Sequence, residues 1–377
     1  MIRILHVVSS LEYGGGVQTV LYNYYNNIKN EDICFDFIVH GHKRGKYEEL
    51  FEAMGSKIIH VTPKKISIIK NIKEIDSALS MKDYDIVHTH QNLSSGIPLL
   101  LAKLRGIPIR ISHSHGYKKN SSLLQTIQEL PLRSLNNIVS NYKFACGKDA
   151  GKWLFGDSWE ENERNIIMYN AIDLSKYFYN QQIRQDYRRR LNLHNKFAMI
   201  HVGRLSDEKN QEFSIEILEK ILSIEPNTVL LLVGAGDNEE KLRKIVKKKG
   251  LNNHIKYLGI RNDVSSLMNA ADILLLPSIN EGLGMVAVEA QICKLKVLAS
   301  DNVPKATKLS NLIEYLPLDN NINVWIEKII NSKLYDRNIQ VNDTKFNNYS
   351  ITVQAQKYEE WIRNKVENNR RKEIKSI

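Results

Sequence analysis

Cysteine and long hydrophobic runs are both scarce in this 377-residue chain. The odd number of cysteines, their wide spacing and the lack of any CxxC pair argue against a disulfide framework and a structural zinc site, and they fit a reducing cytoplasm. No apolar run approaches the roughly 18 residues of a membrane span. The first apolar stretch, residues 2–8, contains Arg3 and His6 and is too short for a signal-peptide core. The three cysteines are Cys34, Cys146 and Cys293.

Acidic residues are fewer than basic ones, and the formal net charge is +11. The excess of Lys and Arg is spread over both halves of the chain and its C-terminal tail. This distribution leaves nucleic acid, anionic lipid and diphosphate ligands open as partners. Apolar residues make up 42% of the chain, which is enough for two buried cores at this length.

Short apolar strands alternate with helical patterns in two successive series. Such alternation predicts parallel sheets with helices on both faces. The two series are joined by a polar stretch near residues 170–195, which we interpret as an irregular linker. The predicted strands of the first half are residues 2–8, 35–39, 57–61, 85–89, 107–113 and 142–145. Those of the second half are residues 197–202, 228–233, 256–258, 272–276 and 296–299.

Ligands of open parallel sheets bind beyond the carboxyl ends of the strands, so these positions are the first candidates for a site. Gly14, Gly15 and Gly16 follow the first strand and precede a helix. Glycine lets a ligand approach the backbone, and a helix start offers free N–H groups to a phosphate or a sugar hydroxyl. The spacing fits neither a Walker A loop nor a dinucleotide fingerprint, and an ordinary flexible turn remains the alternative.

A second candidate follows the first strand of the second half, where Gly203 is succeeded by Arg204 and Lys209. An Arg and a Lys just beyond a strand end form a suitable grip for a diphosphate. Taken alone, the segment is better interpreted as a solvated loop that leads into a helix cap.

A third candidate is the segment from Glu281 to Glu289, which follows the strand at residues 272–276. Gly282 and Gly284 favour an open backbone, and a helix is predicted to begin near Met285. Carboxylates accept hydrogen bonds from sugar or ribose hydroxyls, while the free N–H groups of a helix start bind phosphate. The alternative makes Glu289 a partner of the helix dipole and Glu281 a surface charge. Together with Arg204 and Lys209, the segment favours a site for a ligand with both hydroxyls and phosphates.

Two histidine pairs, His88 with His90 and His113 with His115, end two strands of the first half. Spacing i, i+2 places both members of a pair on one face of a strand. A metal site would need further ligands from elsewhere, so we predict none. One histidine is expected to meet the ligand and the others to pack in the core.

The whole set of motifs resembles glycosyltransferase family 4, the retaining enzymes of the GT-B fold, and among them the bacterial capsule and exopolysaccharide enzymes. The similarity covers nearly the whole chain. Its most specific motif is the pair Glu281 and Glu289. Weaker matches are the glycine loops at residues 14–16 and 234–236, the base-binding segment at residues 257–264, and Asn170-Ala171-Ile172-Asp173, where Ala171 replaces the usual glycine.

The resemblance implies two Rossmann-like domains facing each other across a cleft. The N-terminal acceptor domain would span residues 1–175, the donor domain residues 176–350, and a final helix, residues 351–377, would cross back onto the first domain.

The resemblance also implies roles for individual residues. Arg204 and Lys209 would hold the diphosphate and stabilise the leaving group, Glu281 and His115 would contact the transferred sugar, and Glu289 would bind the ribose. No metal and no cofactor would be required, because fixed cations can offset the charge that grows on the diphosphate. The remaining donor-binding residues would be Gly15, Gly16, Gly203, Gly234, Ile260, Arg261, Gly282, Leu283, Gly284 and Met285.

The sequence therefore predicts a metal-independent hexosyltransferase of surface polysaccharide biosynthesis that uses a UDP-sugar, with GDP-mannose left open. The acceptor would be a glycan or a polyprenyl-diphosphate-linked sugar, and nucleic acid is not expected as a partner. A nucleotide-sugar 2-epimerase and a non-catalytic binder of the same fold are the competing functions. The protein is expected in the cytoplasm, with a contact to the inner membrane face through Lys64, Lys65, Lys118, Lys119 and Arg133 as an alternative to an ordinary solvated surface.

Overall fold

The computed structural model describes residues 1–12, 16–116, 122–319, 321–338 and 344–375. The chain forms two compact units. The first consists of Met1–Asp173 together with Asn348–Ile377, and the second is Leu174–Asn347. Gly14, Gly15, Lys118 and Lys119 lie outside the described residues.

The first unit contains a seven-stranded parallel sheet with the order β3-β2-β1-β4-β5-β6-β7. Its strands are β1 (Ile2–Val8), β2 (Ile33–His40), β3 (Ile58–Val61), β4 (Ile86–Thr89), β5 (Ile109–Ser114), β6 (Tyr142–Ala145) and β7 (Asn165–Ile167). Its helices are α1 (Gly16–Asn27), α2 (Lys46–Ala53), α3 (Ile68–Leu79), α4 (Gly96–Leu104), α5 (Leu123–Val139) and α6 (Lys148–Phe155). Because β1 and β4 are neighbours, the order of the strands reverses between them.

The second unit repeats the pattern with a six-stranded sheet of order β10-β9-β8-β11-β12-β13. Its strands are β8 (Phe197–Val202), β9 (Thr228–Val233), β10 (Ile255–Gly259), β11 (Ile273–Leu276), β12 (Lys296–Ser300) and β13 (Ile313–Leu316). Its helices are α7 (Gln181–Arg190), α8 (Gln211–Ile221), α9 (Glu239–Lys248), α10 (Val264–Ala270), α11 (Met285–Ile292) and α12 (Ile322–Ser332). Every residue of β9 and β11 is buried, as expected for strands covered by helices on both faces.

The last helix, α13 (Ile351–Lys375), belongs to the first unit and packs along α1. Tyr358 anchors it, because its ring lies edge-on to Tyr24 at a centroid distance of 5.8 Å and its hydroxyl lies 3.1 Å from Nδ1 of His88. The backbone N–H of Ile351 donates to the carbonyl of Ile172 at 2.9 Å, and the N–H of Ile172 donates to the carbonyl of Tyr349 at 2.8 Å. The two segments that leave the first unit are thus held together by their own backbone bonds.

The predicted fold class, two parallel α/β domains, is confirmed by these two sheets. The expectation of an irregular linker at residues 170–195 is wrong for α7. Its start is capped by Asn180, whose side chain accepts from the N–H of Ile183 at 2.9 Å. Arg184 holds the helix to α10, because its guanidinium donates to the carbonyls of Asn269 and Ala271 at 2.9 and 2.8 Å. The strands β7 and β13 were not predicted.

Candidate functional site

Strand order in the second unit reverses between β8 and β11, which are hydrogen-bonded neighbours. The loops that follow two such strands diverge to opposite faces of the sheet and leave a crevice at its carboxyl edge. Gly203 to Lys209 follow β8, and the loop from Pro277 to Gly284 follows β11. Both basic residues and the paired-glutamate segment therefore lie at the position where a parallel sheet binds its ligand.

An ion pair joins these two loops. Nζ of Lys209 lies 2.7 Å from Oε1 and 2.6 Å from Oε2 of Glu281. The side chains are 21% and 8% exposed, so the pair is largely withdrawn from water. The hydroxyl of Ser278 donates to Oε2 of Glu281 at 3.0 Å. The backbone reinforces the contact, because the N–H of Ile279 donates to the carbonyl of Glu208 at 2.8 Å.

Arg204 is placed differently from Lys209. Its side chain is 71% exposed, and its guanidinium lies 3.9 Å from the carboxylate of Glu208, a contact of little energetic weight. Its backbone is fixed, since the amide of Gln211 donates to the Arg204 carbonyl at 2.9 Å. An anchored backbone with an extended, exposed guanidinium suits a group that closes onto a bound anion.

Gly234 brings the loop after β9 against the loop after β8. Its φ is +130°, and a Cβ at this position would lie 2.0 Å from the carbonyl oxygen of Gly203. No other residue fits so close a backbone approach. The N–H of Gly234 donates to the carbonyl of Gly259 at 2.8 Å, which links the end of β10 to the same edge.

The turn into α11 is set by Gly284, which caps the helix with a φ of +81°. A Cβ on Gly284 would lie 3.3 Å from Cγ of Glu281, so the helix start and the ion pair are adjacent. Met285 is the first helical residue, Gly282 is exposed, and Leu283 is buried beneath the turn. The loops after β9, β8 and β11, which carry Gly234, Gly203 with Lys209, and Glu281, are thus in contact in that order. The last of them leads into a helix start that offers backbone N–H groups.

Glu289 lies one turn into α11, and burial raises its pKa to about 7. A hydrogen bond with the hydroxyl of Tyr177 acts in the opposite direction. A carboxyl group that is poised near neutral pH gains most from a ligand that donates hydrogen bonds to it, because such donors favour the ionised form. Tyr177 was not among the predicted site residues, and nothing in its sequence context singles it out.

The two predicted base-binding residues, Ile260 and Arg261, differ in how free their side chains are to contact a ligand. Ile260 directly follows β10 and is 65% exposed, an unusual position for a large apolar side chain at the edge of a sheet. Arg261 is already engaged, since its guanidinium donates to both carboxylate oxygens of Asp263 at 2.8 and 2.6 Å. Asp263 in turn accepts from the hydroxyl of Tyr187 at 2.8 Å. Of the two, Ile260 offers the free surface.

In the first unit, Gly16 is the exposed first residue of α1, while Gly15 lies outside the described residues. His115 directly follows β5 and is partly exposed, and its backbone N–H donates to the side chain of Asn92 at 2.9 Å. Its imidazole does not stand alone. Nε2 of His115 lies 2.8 Å from Nδ1 of His90, and Nε2 of His90 lies 2.9 Å from Nδ1 of His6 on β1.

The other two histidines, His88 and His113, form a second hydrogen-bonded pair beside the chain of His6, His90 and His115. Nε2 of His88 lies 3.1 Å from Nδ1 of His113, and the rings of His113 and His115 stack at a centroid distance of 3.9 Å. Burial lowers the pKa of all five imidazoles, to about 3 for His6 and His115. They are therefore neutral at physiological pH. The prediction that one histidine meets a ligand and the others pack took no account of His6, which reads as an ordinary strand position.

Two groups within the histidine cluster have nitrogen atoms close enough together to surround a metal ion: His6, His88 and His90, and His90, His113 and His115. One pair of ring nitrogens in each group, however, lies at the distance of a hydrogen bond: 2.9 Å for His6 and His90, and 2.8 Å for His90 and His115. A hydrogen bond thus accounts for one close pair of rings in each group.

Two family descriptions match the chain in succession. Residues 14–176 match Glycosyltransferase Family 4, and residues 183–328 match Glycosyl transferases group 1. The first match ends and the second begins within ten residues of the break between the two units at Asp173.

Curated relatives match most of the chain. EpsF of Bacillus subtilis (strain 168), named as a glycosyltransferase, is 28% identical over 87% of this chain and 86% of its own length. The capsular polysaccharide biosynthesis glycosyltransferase CapH of Staphylococcus aureus is 26% identical over 95% and 98%. The UDP-Gal:alpha-D-GlcNAc-diphosphoundecaprenol alpha-1,3-galactosyltransferase of Escherichia coli is 26% identical over 88% and 89%.

The fold is shared with solved structures. Anabaena HepE, solved in complex with UDP-glucose, superimposes with a TM-score of 0.70 at 19% identity over the full length of both chains. A likeness at this identity establishes the fold, which is GT-B. With the two family matches and the relatives in polysaccharide biosynthesis, it follows that this chain belongs to glycosyltransferase family 4 and is a glycosyltransferase of polysaccharide biosynthesis.

Proposed function

We propose that this glycosyltransferase transfers a hexose from a UDP-sugar to a lipid-linked or glycan acceptor, with retention of configuration and without a metal ion. The observation that carries the proposal is the Lys209–Glu281 ion pair at the switch point of the second sheet. It sets a cation for a diphosphate beside a carboxylate for a sugar hydroxyl, at the start of a helix. UDP-glucose is bound by HepE, which shares the fold, and a UDP-galactose donor is named for the E. coli relative.

In the proposed reaction, Lys209 and Arg204 offset the negative charge that develops on the departing diphosphate. The N–H groups at the start of α11 bind phosphate oxygens, and Glu289 accepts hydrogen bonds from the ribose hydroxyls. Glu281 orients the sugar, and both of its carboxylate oxygens are engaged by Lys209, so neither is free to attack the sugar. We therefore favour attack of the acceptor on the same face from which the diphosphate leaves, without a covalent sugar–enzyme intermediate.

We propose metal independence because Lys209 and Arg204 would supply positive charge where a divalent metal would otherwise act. The test is sugar transfer measured with and without a chelator after the purified enzyme has been dialysed. Unchanged transfer supports the proposal. Loss of transfer that added Mg²⁺ or Mn²⁺ restores would contradict it.

Two other functions of the same fold remain as competitors: a nucleotide-sugar 2-epimerase and a non-catalytic binder. An epimerase converts one nucleotide sugar into its epimer and needs no acceptor, whereas a transferase releases the nucleotide only when an acceptor is present. A thermal-shift panel of UDP-, GDP- and ADP-sugars identifies the donor, and acceptor-dependent nucleotide release then separates the three functions. Binding without turnover on any lipid-linked acceptor would favour the binder.

We also propose that the first unit meets an anionic membrane. At the carboxyl edge of its sheet, Ile66, Ile68 and Ile69 are 75%, 59% and 70% exposed, and the exposed lysines Lys65 and Lys70 flank them. A lipid-facing surface of this kind combines apolar side chains with nearby cations.

The N-terminal part of α5 continues the apolar character of this edge with Leu124, Ile127 and Leu130, all more than half exposed. Two of the basic residues predicted to face lipid are less suitable. Arg133 is paired with Glu129 at 2.7 Å, and Lys64 is half-buried with its amine 3.3 Å from the carbonyl of Ser94.

Vesicle sedimentation tests this surface directly. The double variant Ile68→Glu with Ile69→Glu is expected to lose binding to vesicles that contain anionic lipid. The control is Leu334→Glu, because Leu334 is 93% exposed and lies in the other unit. Equal sedimentation of the double variant and the control, or no salt-sensitive binding of the unaltered protein, would remove the membrane proposal and leave sugar transfer untouched.

A further inference from the structure

Three histidines on neighbouring strands form a continuous chain of hydrogen bonds, here called the histidine wire: His6 lies within β1, while His90 and His115 directly follow β4 and β5. Nδ1 of His6 faces Nε2 of His90 at 2.9 Å, and Nδ1 of His90 faces Nε2 of His115 at 2.8 Å. His6 is fully buried and His90 nearly so, while His115 is partly exposed. The wire therefore runs from the core of the first unit to the carboxyl edge of its sheet.

Each ring of the wire is neutral, because burial lowers the pKa of all three imidazoles well below their ordinary value. A neutral imidazole has one N–H donor and one acceptor nitrogen. Three rings thus hold three protons, and two of these occupy the two hydrogen bonds. Both bonds form only if all three rings adopt the same tautomer, since any mixed arrangement sets two donors or two lone pairs against each other.

Two arrangements meet this condition, with the proton on Nδ1 of every ring or on Nε2 of every ring. The buried end of the wire selects between them. Nε2 of His6 is buried and has no hydrogen-bond partner within the described part of the chain. If the protons pointed inward, this atom would be an N–H donor without an acceptor in the core. If they point outward, it is only an acceptor with an unfilled lone pair, which folded proteins tolerate more readily. The outward arrangement is therefore favoured, with the proton on Nδ1 of every ring.

We propose that His6 and His90 are positioning residues that hold His115 as the Nδ1–H tautomer, so that His115 offers its ligand a neutral hydrogen-bond donor. This inference rests on the proposed function, in which His115 contacts the transferred sugar. A neutral N–H donates to a sugar hydroxyl oxygen and cannot accept that hydroxyl's proton. His115 then orients the sugar and leaves the acceptor's proton to another group.

The neighbouring chain of His113, His88 and Tyr358 shares no hydrogen bond with the wire among the described residues. Nδ1 of His88 meets the Tyr358 hydroxyl, which both donates and accepts. Nε2 of His113 is also buried without a partner in the described residues. Its histidines are as buried as those of the wire, and substituting them leaves the two hydrogen bonds of the wire in place, so they serve as matched controls.

The test is nitrogen NMR of the full-length protein labelled with ¹⁵N only at histidine, with His115 assigned by its loss in His115→Gln. We expect a protonated Nδ1 and an unprotonated Nε2 for His115 in the unaltered protein. In His90→Leu the preference of His115 for a protonated Nδ1 should disappear. In His90→Asn, whose amide N–H occupies nearly the position of the His90 Nδ1–H, it should persist. His88→Asn should leave the His115 tautomer unchanged.

Kinetics give a second readout. His90→Leu should lower kcat about tenfold with little change in KM for the donor, and His90→Asn should restore most of the loss. A proton on Nε2 of His115 in the unaltered protein, equal kcat in His90→Leu and unaltered protein, or one equivalent of tightly bound zinc in active enzyme would each overturn the inference. The NMR result does not depend on turnover. An Nδ1–H tautomer in a protein that transfers no sugar would uphold the wire and refute the proposed function.

Discussion

Lys209 and Glu281 stand 72 positions apart in the sequence, yet Nζ of the lysine lies within 2.7 Å of both carboxylate oxygens of the glutamate. Each residue follows a strand, and the two strands are neighbours at the point where the strand order reverses. The ion pair therefore links the loops after β8 and β11 at the carboxyl edge of the second sheet. It places opposite charges where the phosphate and the sugar of a donor would meet.

Replacing Lys209 with alanine removes the cation next to the proposed leaving group. We expect kcat for sugar transfer to fall by about 10² to 10³. Among the described residues, Glu281 would keep only Ser278 as a side-chain partner, so the free energy of unfolding should fall by about 1–3 kcal/mol. Initial rates and urea unfolding measure the two effects. Lys241→Ala is the control, because Lys241 is exposed and pairs with surface acids of the same unit. Near-normal kcat in Lys209→Ala would refute the assignment.

The affinity for UDP should depend on pH through Glu289. Its pKa is raised to about 7 by burial, and ribose hydroxyls donate to the ionised form. Below that pH the carboxyl group holds a proton and loses acceptor capacity, so affinity should drop about tenfold between pH 8 and pH 6. Calorimetric titration of the unaltered protein and Glu289→Gln separates this effect from titration of the nucleotide itself. A parallel pH dependence in both proteins would contradict it.

The same carboxyl group should limit stability at high pH. Its pKa is raised on folding, so the folded state holds a proton that the unfolded state releases from about pH 4.5 upward, and ionising it above pH 7 costs free energy. Glu289→Gln should therefore increase the free energy of unfolding by about 1–3 kcal/mol at pH 8 and leave it nearly unchanged at pH 4. Melting temperatures at both pH values check this, with the exposed Glu163→Gln as control. A decrease in stability at pH 8 would be the contrary result.

Gly234→Ala should destabilise the second unit, because the added Cβ would meet the Gly203 carbonyl at 2.0 Å in a backbone with a φ of +130°. We expect a loss of about 2–4 kcal/mol. Gly250→Ala is the matched control, since Gly250 also has a positive φ but has open space around its Cβ position. It should cost only about 1 kcal/mol. Chemical unfolding compares the two, and equal losses would show that the close approach to Gly203 carries no cost.

The sequence predicted the sheets and their ligand-binding edges because strand ends and glycines are local signals. It did not predict α7, whose residues 181–190 carry no apolar stripe. That helix is held by hydrogen bonds from Arg184 to carbonyls of α10, some 85 positions away. The short strands β7 and β13 were not predicted for a similar reason. Each is defined by its hydrogen bonds to the neighbouring strand, and its own residues carry no clear strand pattern.

The candidate site was likewise only partly predictable. Glu281, Glu289 and Lys209 each follow a strand and have a residue type that suggests a ligand. Their mutual contacts and the bond from Tyr177 to Glu289 depend on tertiary packing. His6 was missed because a histidine inside a buried strand looks like one more core position. Its link to His90, 84 positions away, appears only when β1 and β4 are neighbours.

Acceptor-dependent release of UDP is the measurement that tests the central claim most directly. The enzyme is incubated with a panel of UDP-sugars and a polyprenyl-diphosphate-linked sugar, and free UDP is followed over time alongside the mass of the acceptor. The account predicts UDP release only with acceptor, an acceptor heavier by one hexose, and a rate at least tenfold lower in Lys209→Ala. UDP release without acceptor, or equal rates in the variant and the unaltered enzyme, would contradict it.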